Sequence, residues 1–295
     1  MSGYFVHCGG GIVPADEARI SPLDAGFLYG DGIYETMRAY GGRVFAFPKH
    51  LSRLARSAAR IGMGLPPREE IARAVEQTID ANDLESAIVR ITIGRGRLPR
   101  RLDLSSAGAP TLLVTAEYCD PAADVERRKG IRVVYSRYLR FARHPLAGVK
   151  STNYQVSLFA RNEAREAGCA EVLLPDETGE IVEAAAANVF AVEKGRLVTP
   201  PISRGILGGV TRDVVLELAV HEGIGILEEA FARKRLESAD EIFLTGTTIQ
   251  LAPVVKVEER AIGNGSPGPT TMRLLARYLD AVAQDTGAAV AREIA

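Results

Sequence analysis

The sequence predicts a mixed α/β protein of two domains, and three observations carry that expectation. Short strand-like runs alternate with helix-like stretches along the 295 residues. Hydrophobic content of 46% and charged content of 25% describe an ordinary globular chain, long enough to bury a substantial core. The stretch 117–130 is polar, contains Pro121 and has no strong period, which marks a boundary. Residues 1–118 then form a smaller N-terminal domain, 119–130 a linker, and 131–295 a larger C-terminal domain.

A net charge of −1 with a pI near 6.5 gives no electrostatic footprint for nucleic acid, so the expected partners are small molecules. Cys8, Cys119 and Cys169 lack metal-ligand spacing, which suggests neither a disulfide framework nor a metal site. The first ten residues carry no basic and apolar signal pattern, and no apolar run approaches the ~18 residues of a membrane helix. A reducing cytoplasm is the default expectation.

The elements follow in order. Tyr4–Val6, a turn at Gly9–Gly11 and Ile12–Val13 read as a hairpin. Alternation from Ile33 to Ala39 predicts a strand with Tyr34, Thr36 and Arg38 on one face. After the Gly41–Gly42 turn, Val44–Phe47 reads as its partner strand. Pro48 opens a helix with Leu51, Leu54, Ala55, Ala58 and Ile61 at helical spacing; Arg53 lies off that apolar face. A second helix covers Pro67–Asn82 and a strand Ala87–Ile93, with Arg90 in its middle needing an anionic partner if its face is buried. Gly94–Asp103 is a loop with four arginines; such charge runs are usually solvated, and this one could also trap a second carboxylate, as in dicarboxylate substrates.

Past the strand Thr111–Thr115 and the boundary segment, Ile131–Tyr138 resumes a strand pattern. A helix spans Asn153–Ala167, with Gly168 as its stop. Glu171–Leu174, the turn 176–179, and strands carrying Glu183 and Asn188–Val192 form a meander. Gly208–Thr211 leads directly into a helix, an arrangement that presents backbone N–H groups and a positive dipole end to an anion. The strand Glu241–Thr245 ends in Gly246, Thr247 and Thr248, and an amphipathic helix from Pro269 to Ala283 looks structural.

Chemistry concentrates between Leu146 and Phe190. Lys150 follows Gly148 and Val149 and precedes Ser151–Tyr154; apolar Leu146, Ala147 and Val149 could desolvate its amine enough to make it a carbonyl-trapping nucleophile. Glu183 stands before a run of alanines that lets something flat approach the backbone. A lysine and a carboxylate so placed suit pyridoxal phosphate, the lysine holding its aldehyde and the acid its pyridinium nitrogen. Local features alone fit a solvated lysine and a turn glutamate as well.

Lys150–Tyr154, Glu183–Phe190 and Gly208–Asp213, with Tyr29–Arg38 and His50–Leu54 upstream, resemble in order the motifs of the class IV (fold-type IV) aminotransferases, most like the branched-chain enzymes. The resemblance runs from about Ile20 to Pro253. It implies a two-domain fold like that of D-amino acid aminotransferases with pyridoxal 5′-phosphate between the domains, and a homodimer whose active-site loops are shared between subunits. It further implies that Lys150 is catalytic and holds the cofactor, that Glu183 meets the ring nitrogen, Tyr154 the phenolic oxygen, and Arg53, Val210, Thr211 and Thr247 the phosphate, with Leu207 near the ring and Asn188 behind it. Tyr29, Tyr34, Arg38, Arg90, Arg100 and Thr248 match substrate-contacting positions. The activity implied is transfer of an amino group from an apolar L-amino acid to 2-oxoglutarate. Ile88 stands where branched-chain enzymes often carry tyrosine, and Lys150 runs to Tyr154 without their extra glycine. That spacing and Arg100 resemble D-amino acid transaminases, although Leu102 replaces their histidine; Thr36 resembles a threonine of aminodeoxychorismate lyases. A binding protein that keeps the fold without turnover is the reading outside the enzyme class.

Overall fold

The computed structural model describes residues 3–99 and 102–290. The chain falls into two compact units. Of the described residues, unit 1 takes 3–99, 102–119, 149–153 and 285–289, and unit 2 takes 120–148, 154–284 and 290. The segment bearing Lys150 thus returns to unit 1, although its neighbours in sequence belong to unit 2.

Unit 1 is built on a six-stranded sheet. In chain order it contains β1 (Phe5–Cys8), β2 (Gly11–Pro14), α1 (Ala25–Tyr29), β3 (Gly32–Tyr40), β4 (Arg43–Val44), α2 (Phe47–Arg60), α3 (Arg68–Ala81), β5 (Ser86–Gly94) and β6 (Thr111–Tyr118). Their order across the sheet is β2-β1-β6-β5-β3-β4, antiparallel throughout. Period-2 alternation sends Ile33, Met37 and Ala39 of β3, with Val89, Ile91 and Ile93 of β5 and Val114 of β6, to one face, where Leu51, Leu54 and Ala58 of α2 and Ile71, Val75 and Ile79 of α3 cover them. Each such side chain contributes about 1.5–3 kcal/mol when fully buried. The expected strand at Val44–Phe47 is shorter than its alternation suggests: only Arg43–Val44 pairs with β3, and Ala46, at φ 52°, turns the chain into α2.

Unit 2 contains α4 (Pro121–Arg128), β7 (Ile131–Tyr135), α5 (Gln155–Glu166), β8 (Glu171–Pro175), β9 (Ile181–Ala184), β10 (Asn188–Glu193), β11 (Arg196–Thr199), α6 (Val210–His221), β12 (Ile226–Glu228), α7 (Arg233–Glu237), β13 (Glu241–Gly246), β14 (Gln250–Val257), β15 (Arg260–Ala261) and α8 (Pro269–Thr286), of which Asp285 and Thr286 belong to unit 1. Its sheet runs β12-β11-β10-β13-β14-β7-β8-β9, with β15 beside β14. Alternation along β8 splits the core: Leu173 joins a cluster with Val189, Ala191 and Leu244, whereas Val172 and Leu174 pack on Ala160 and Ala164 of α5. The polar stretch after Cys119 is not patternless. Asp120 caps α4 by accepting from Ala122 N, and Asp124 and Arg128 are buried one helical turn apart.

One member of the apolar row of β3 is not apolar. Glu35 is fully buried between Ile33 and Met37; its Oε1 accepts from Arg53 Nε at 2.8 Å, and its Oε2 accepts from Arg53 Nη2 at 2.7 Å and from His50 Nδ1 at 2.8 Å. Burial alone would raise the Glu35 carboxyl, but the Arg53 charge and the hydrogen bonds from Arg53 and His50 overcome it and bring the pKa down to about 2. Burial pushes the His50 imidazole below its ordinary value, against the pull of Glu35.

Both groups act in one direction on acidification. Below the ordinary histidine value of 6.5 the unfolded chain takes up a proton that native His50 refuses. Between the ordinary carboxyl value of 4.5 and about 2 it does so at Glu35. Urea midpoints at pH about 7, 5 and 3 should fall in that order for the native sequence. Glu35→Gln, which leaves Arg53 without its counter-charge at a cost of about 3–5 kcal/mol, should start lower and fall less. Equal acid sensitivity of the two proteins would refute this.

Candidate active site

Lys150 is fixed by backbone. The segment Lys150–Thr152 lies along the edge of β3, with Tyr34 N donating to Lys150 O and Thr152 N to Gly32 O, both at 2.9 Å, and Ile33 bridging antiparallel to Ser151. Lys150 N donates to Ser57 Oγ of α2 at 3.3 Å. Thr152 Oγ1 and Asn153 Nδ2 both donate to Gly30 O, closing α1 against the segment. Gly32 makes the approach possible, because a Cβ there would lie 2.9 Å from Thr152 Oγ1 and 3.1 Å from Ile93 O.

Tyr34 projects from the face of β3 opposite the apolar row. Its ring lies 4.5 Å from Lys150 Nζ and 3.8 Å from the Arg90 guanidinium, centroid distances within reach of cation–π attraction. Arg90 pairs across the strands with Thr36 and donates Nε to Thr92 Oγ1 at 3.2 Å, so the anionic partner expected of it is replaced by an aromatic face and a hydroxyl. On the same face Arg38, buried at 3% exposure, stacks 4.7 Å from the Tyr40 ring. Across the sheet thickness stand Arg53, His50 and Glu35, and the charges of Arg53 and Lys150 both bear on His50. One carboxylate amid Arg53, Arg90 and Lys150 leaves unit 1 with a cationic cluster suited to an anionic ligand.

Tyr29, 46% exposed, ends α1 beside Gly30. Arg100 lies outside the described residues. The arginine loop is not simply solvated: Arg95 is buried and bonded to Asp31, with further bonds to the carbonyls of Ile61 and Gly62.

Unit 2 gathers a second set. Glu183, at 5% exposure on β9, has Oε1 2.6 Å from Arg140 Nε, a charge contact whose direction is not that of a hydrogen bond, and its Oε2 accepts from Leu207 N at 3.3 Å. Asn188 Nδ2 donates to Leu207 O at 2.9 Å, tying the start of β10 to the loop before α6. Gly209 caps α6 in a crowded position, since a Cβ would meet Asn188 Oδ1 at 2.1 Å and the Asn188 side chain would have to shift. Val210 and Thr211 are buried in the first turn of α6. Asn188 pairs in register with Thr245, whose buried Oγ1 has no hydrogen-bond partner among the described residues; Thr247 and exposed Thr248 follow in the turn. Tyr154 caps α5 and its hydroxyl donates to Ala185 O at 3.1 Å.

Sequence reasoning missed Glu35, His50 and Arg140. Glu35 had a signal, a carboxylate in an otherwise apolar row, and His50 stands one helical turn before Arg53. Arg140 had none.

Comparison with known proteins gives these arrangements a family. The pattern of Amino-transferase class IV matches residues 32–257. A Methanocaldococcus jannaschii protein, provisionally named a branched-chain-amino-acid aminotransferase, is 37% identical over 276 residues, covering 93% of this chain and 95% of its own. The D-alanine aminotransferase of Bacillus licheniformis is 30% identical over 284 residues, covering 95% and 98%. Among solved structures, the branched-chain amino acid aminotransferase of Thermobaculum terrenum in its PLP-bound holo form superposes with a TM-score of 0.84 at 26% identity, covering 96% of this chain and 95% of that one. The chain therefore belongs to the class IV aminotransferases and is a pyridoxal phosphate-dependent transaminase.

Proposed function

We propose that this transaminase moves an amino group from an apolar, branched-chain-like L-amino acid to 2-oxoglutarate. The observation that carries the reading is the Lys150 amine, held on fixed backbone 4.5 Å from an aromatic ring that also carries Arg90. An amine sheltered on one side and directed by its own main chain meets the first requirement of carbonyl chemistry.

The residues fit pyridoxal phosphate. The crowded Gly209 cap at the N-terminus of α6 and the buried Thr245 hydroxyl are polar features that packing alone does not call for. When bound, the cofactor supplies an electron sink for the carbanion at the substrate α-carbon. Lys150 Nζ would hold the cofactor at its aldehyde carbon and would carry the proton of the substrate α-carbon. Glu183 would keep the ring nitrogen protonated, and the Tyr154 hydroxyl, which donates to Ala185 O here, would turn to hydrogen-bond the phenolic oxygen. Leu207, whose carbonyl accepts from Asn188 Nδ2, would pack near the ring. Arg53 offers the phosphate a charged fork; Val210, Thr211 and Thr247 offer it backbone and hydroxyl donors. Tyr29, Tyr34 and Arg38 shape the substrate site, Arg90 and Thr248 meet the substrate carboxylate, and Arg100 meets a second carboxylate. We also propose a cytoplasmic enzyme, in keeping with its free thiols.

A homodimer is part of the reading. Leu23, Phe27, Leu28 and Tyr29 expose an apolar patch around α1, as an association surface does. Phe27→Glu should halve the sedimenting mass, and an unchanged mass would remove this patch from the interface.

The D-alanine aminotransferase relatives favour a second reading, a D-amino acid transaminase. Parallel assays with L-leucine and D-alanine separate the two, with faster turnover of L-leucine expected; turnover of D-alanine alone would overturn the proposal. Lys150→Ala should fold, lose the visible band that borohydride bleaches in the native holoenzyme, and lose transamination by at least about a thousandfold. Activity near the native rate would show that another group does this work.

A further inference from the structure

We propose that Glu35 is a positioning residue that sets the plane of the Arg53 guanidinium for phosphate binding, with His50 holding Glu35 in turn. The inference rests on the reading that Arg53 binds the cofactor phosphate. It stands on the geometry of a buried three-residue cluster within unit 1.

The first argument is the expense of the arrangement. Glu35 occupies a core-facing position of β3 whose neighbours in the row are Ile33, Met37 and Ala39, and its side chain is wholly inaccessible. A buried ion pair recovers little more than the cost of stripping both charges of water, and apolar residues of similar volume stabilise such a site as well or better. A carboxylate in that row is therefore poorly explained by stability. Its effect is on the orientation of what it binds.

The second argument is the pattern of contacts. A single hydrogen bond would leave a guanidinium free to swing about it. Here Nε meets Oε1 at 2.8 Å and Nη2 meets Oε2 at 2.7 Å, so the two planar groups share one plane and neither turns without breaking a charge-assisted bond. His50 Nδ1 reaches the same Oε2 at 2.8 Å; an ionised carboxylate only accepts, so Nδ1 carries the proton. That third contact fixes the carboxylate itself. His50, Arg53 and Ser57 fall on one stripe of α2, and Ser57 holds Lys150 N, so the same stripe sets both the fork and the lysine backbone. Phosphate recognition by a fork depends on direction as much as on charge, which is why a fixed arginine serves where a mobile one would not.

The test is a comparison of ligands rather than of rates. Apoenzyme of the native sequence, Glu35→Gln, Glu35→Asp, Arg53→Gln and the double variant is titrated with pyridoxal phosphate and with pyridoxal, after circular dichroism has established that each is folded. Glu35→Gln should weaken pyridoxal phosphate about tenfold or more while changing pyridoxal less than about twofold. In the Arg53→Gln background the same change should have no further effect on the phosphate ester. Glu35→Asp keeps the charge but shortens its reach, and should lose the preference for the phosphate ester in part; it carries the test if Glu35→Gln does not fold. Equal weakening of both ligands would reduce Glu35 to a structural role and overturn the inference. Were Arg53→Gln to weaken both ligands equally, the phosphate role of Arg53 would fail instead. An Arg53→Gln effect specific to the phosphate ester, without one from Glu35→Gln or Glu35→Asp, would sink the positioning role alone.

Discussion

The arrangement depends on one short piece of antiparallel pairing, the two hydrogen bonds that lay Lys150–Thr152 along the edge of β3. A strand sends alternate side chains to opposite faces, so fixing the register here decides what each residue of β3 can reach. Tyr34 goes to the face of Arg90 and Arg38, where its ring shelters the Lys150 amine, while Glu35 goes inward to Arg53 and His50. A slip of one residue would exchange the aromatic shelter for the buried carboxylate. Gly32 is the steric condition for the pairing.

Each unit buries a carboxylate against a guanidinium. In unit 1 the buried carboxylate of Glu35 is held well below the usual carboxylate range by the Arg53 charge and by hydrogen bonds from Arg53 and His50. In unit 2 the buried carboxylate of Glu183 is met by one guanidinium and a backbone N–H. Both are cases in which burial, unfavourable alone, is offset by charge at contact distance. The family to which the chain belongs uses pyridoxal phosphate.

Much of the fold was legible because its elements are locally consistent. β5 and β6 of the first sheet obey period 2, the central strands of the second are short apolar runs, α2 and α3 carry apolar stripes at helical spacing, and glycines or prolines stand near their ends. Departures came where tertiary contacts overrode local preference. Phe45 and Phe47 alternate like a strand, yet Asp285 of α8 accepts from Ala46 N and the chain turns into α2 instead. The segment after Cys119 has a mean pattern too polar to suggest packing, yet Asp124 and Arg128 are buried in it.

The sequence by itself determined the motifs, the order of elements and the reactive residue types, since composition and spacing are properties of the chain alone. It could not determine which charges would be spent on each other. That Arg95 is a clamp for Asp31 rather than a solvated loop residue, that Arg53 is aligned by Glu35, and that Glu183 meets Arg140 all follow from contacts between residues distant in sequence. Ion pairs carry no local period, and only the folded backbone brings their partners within reach.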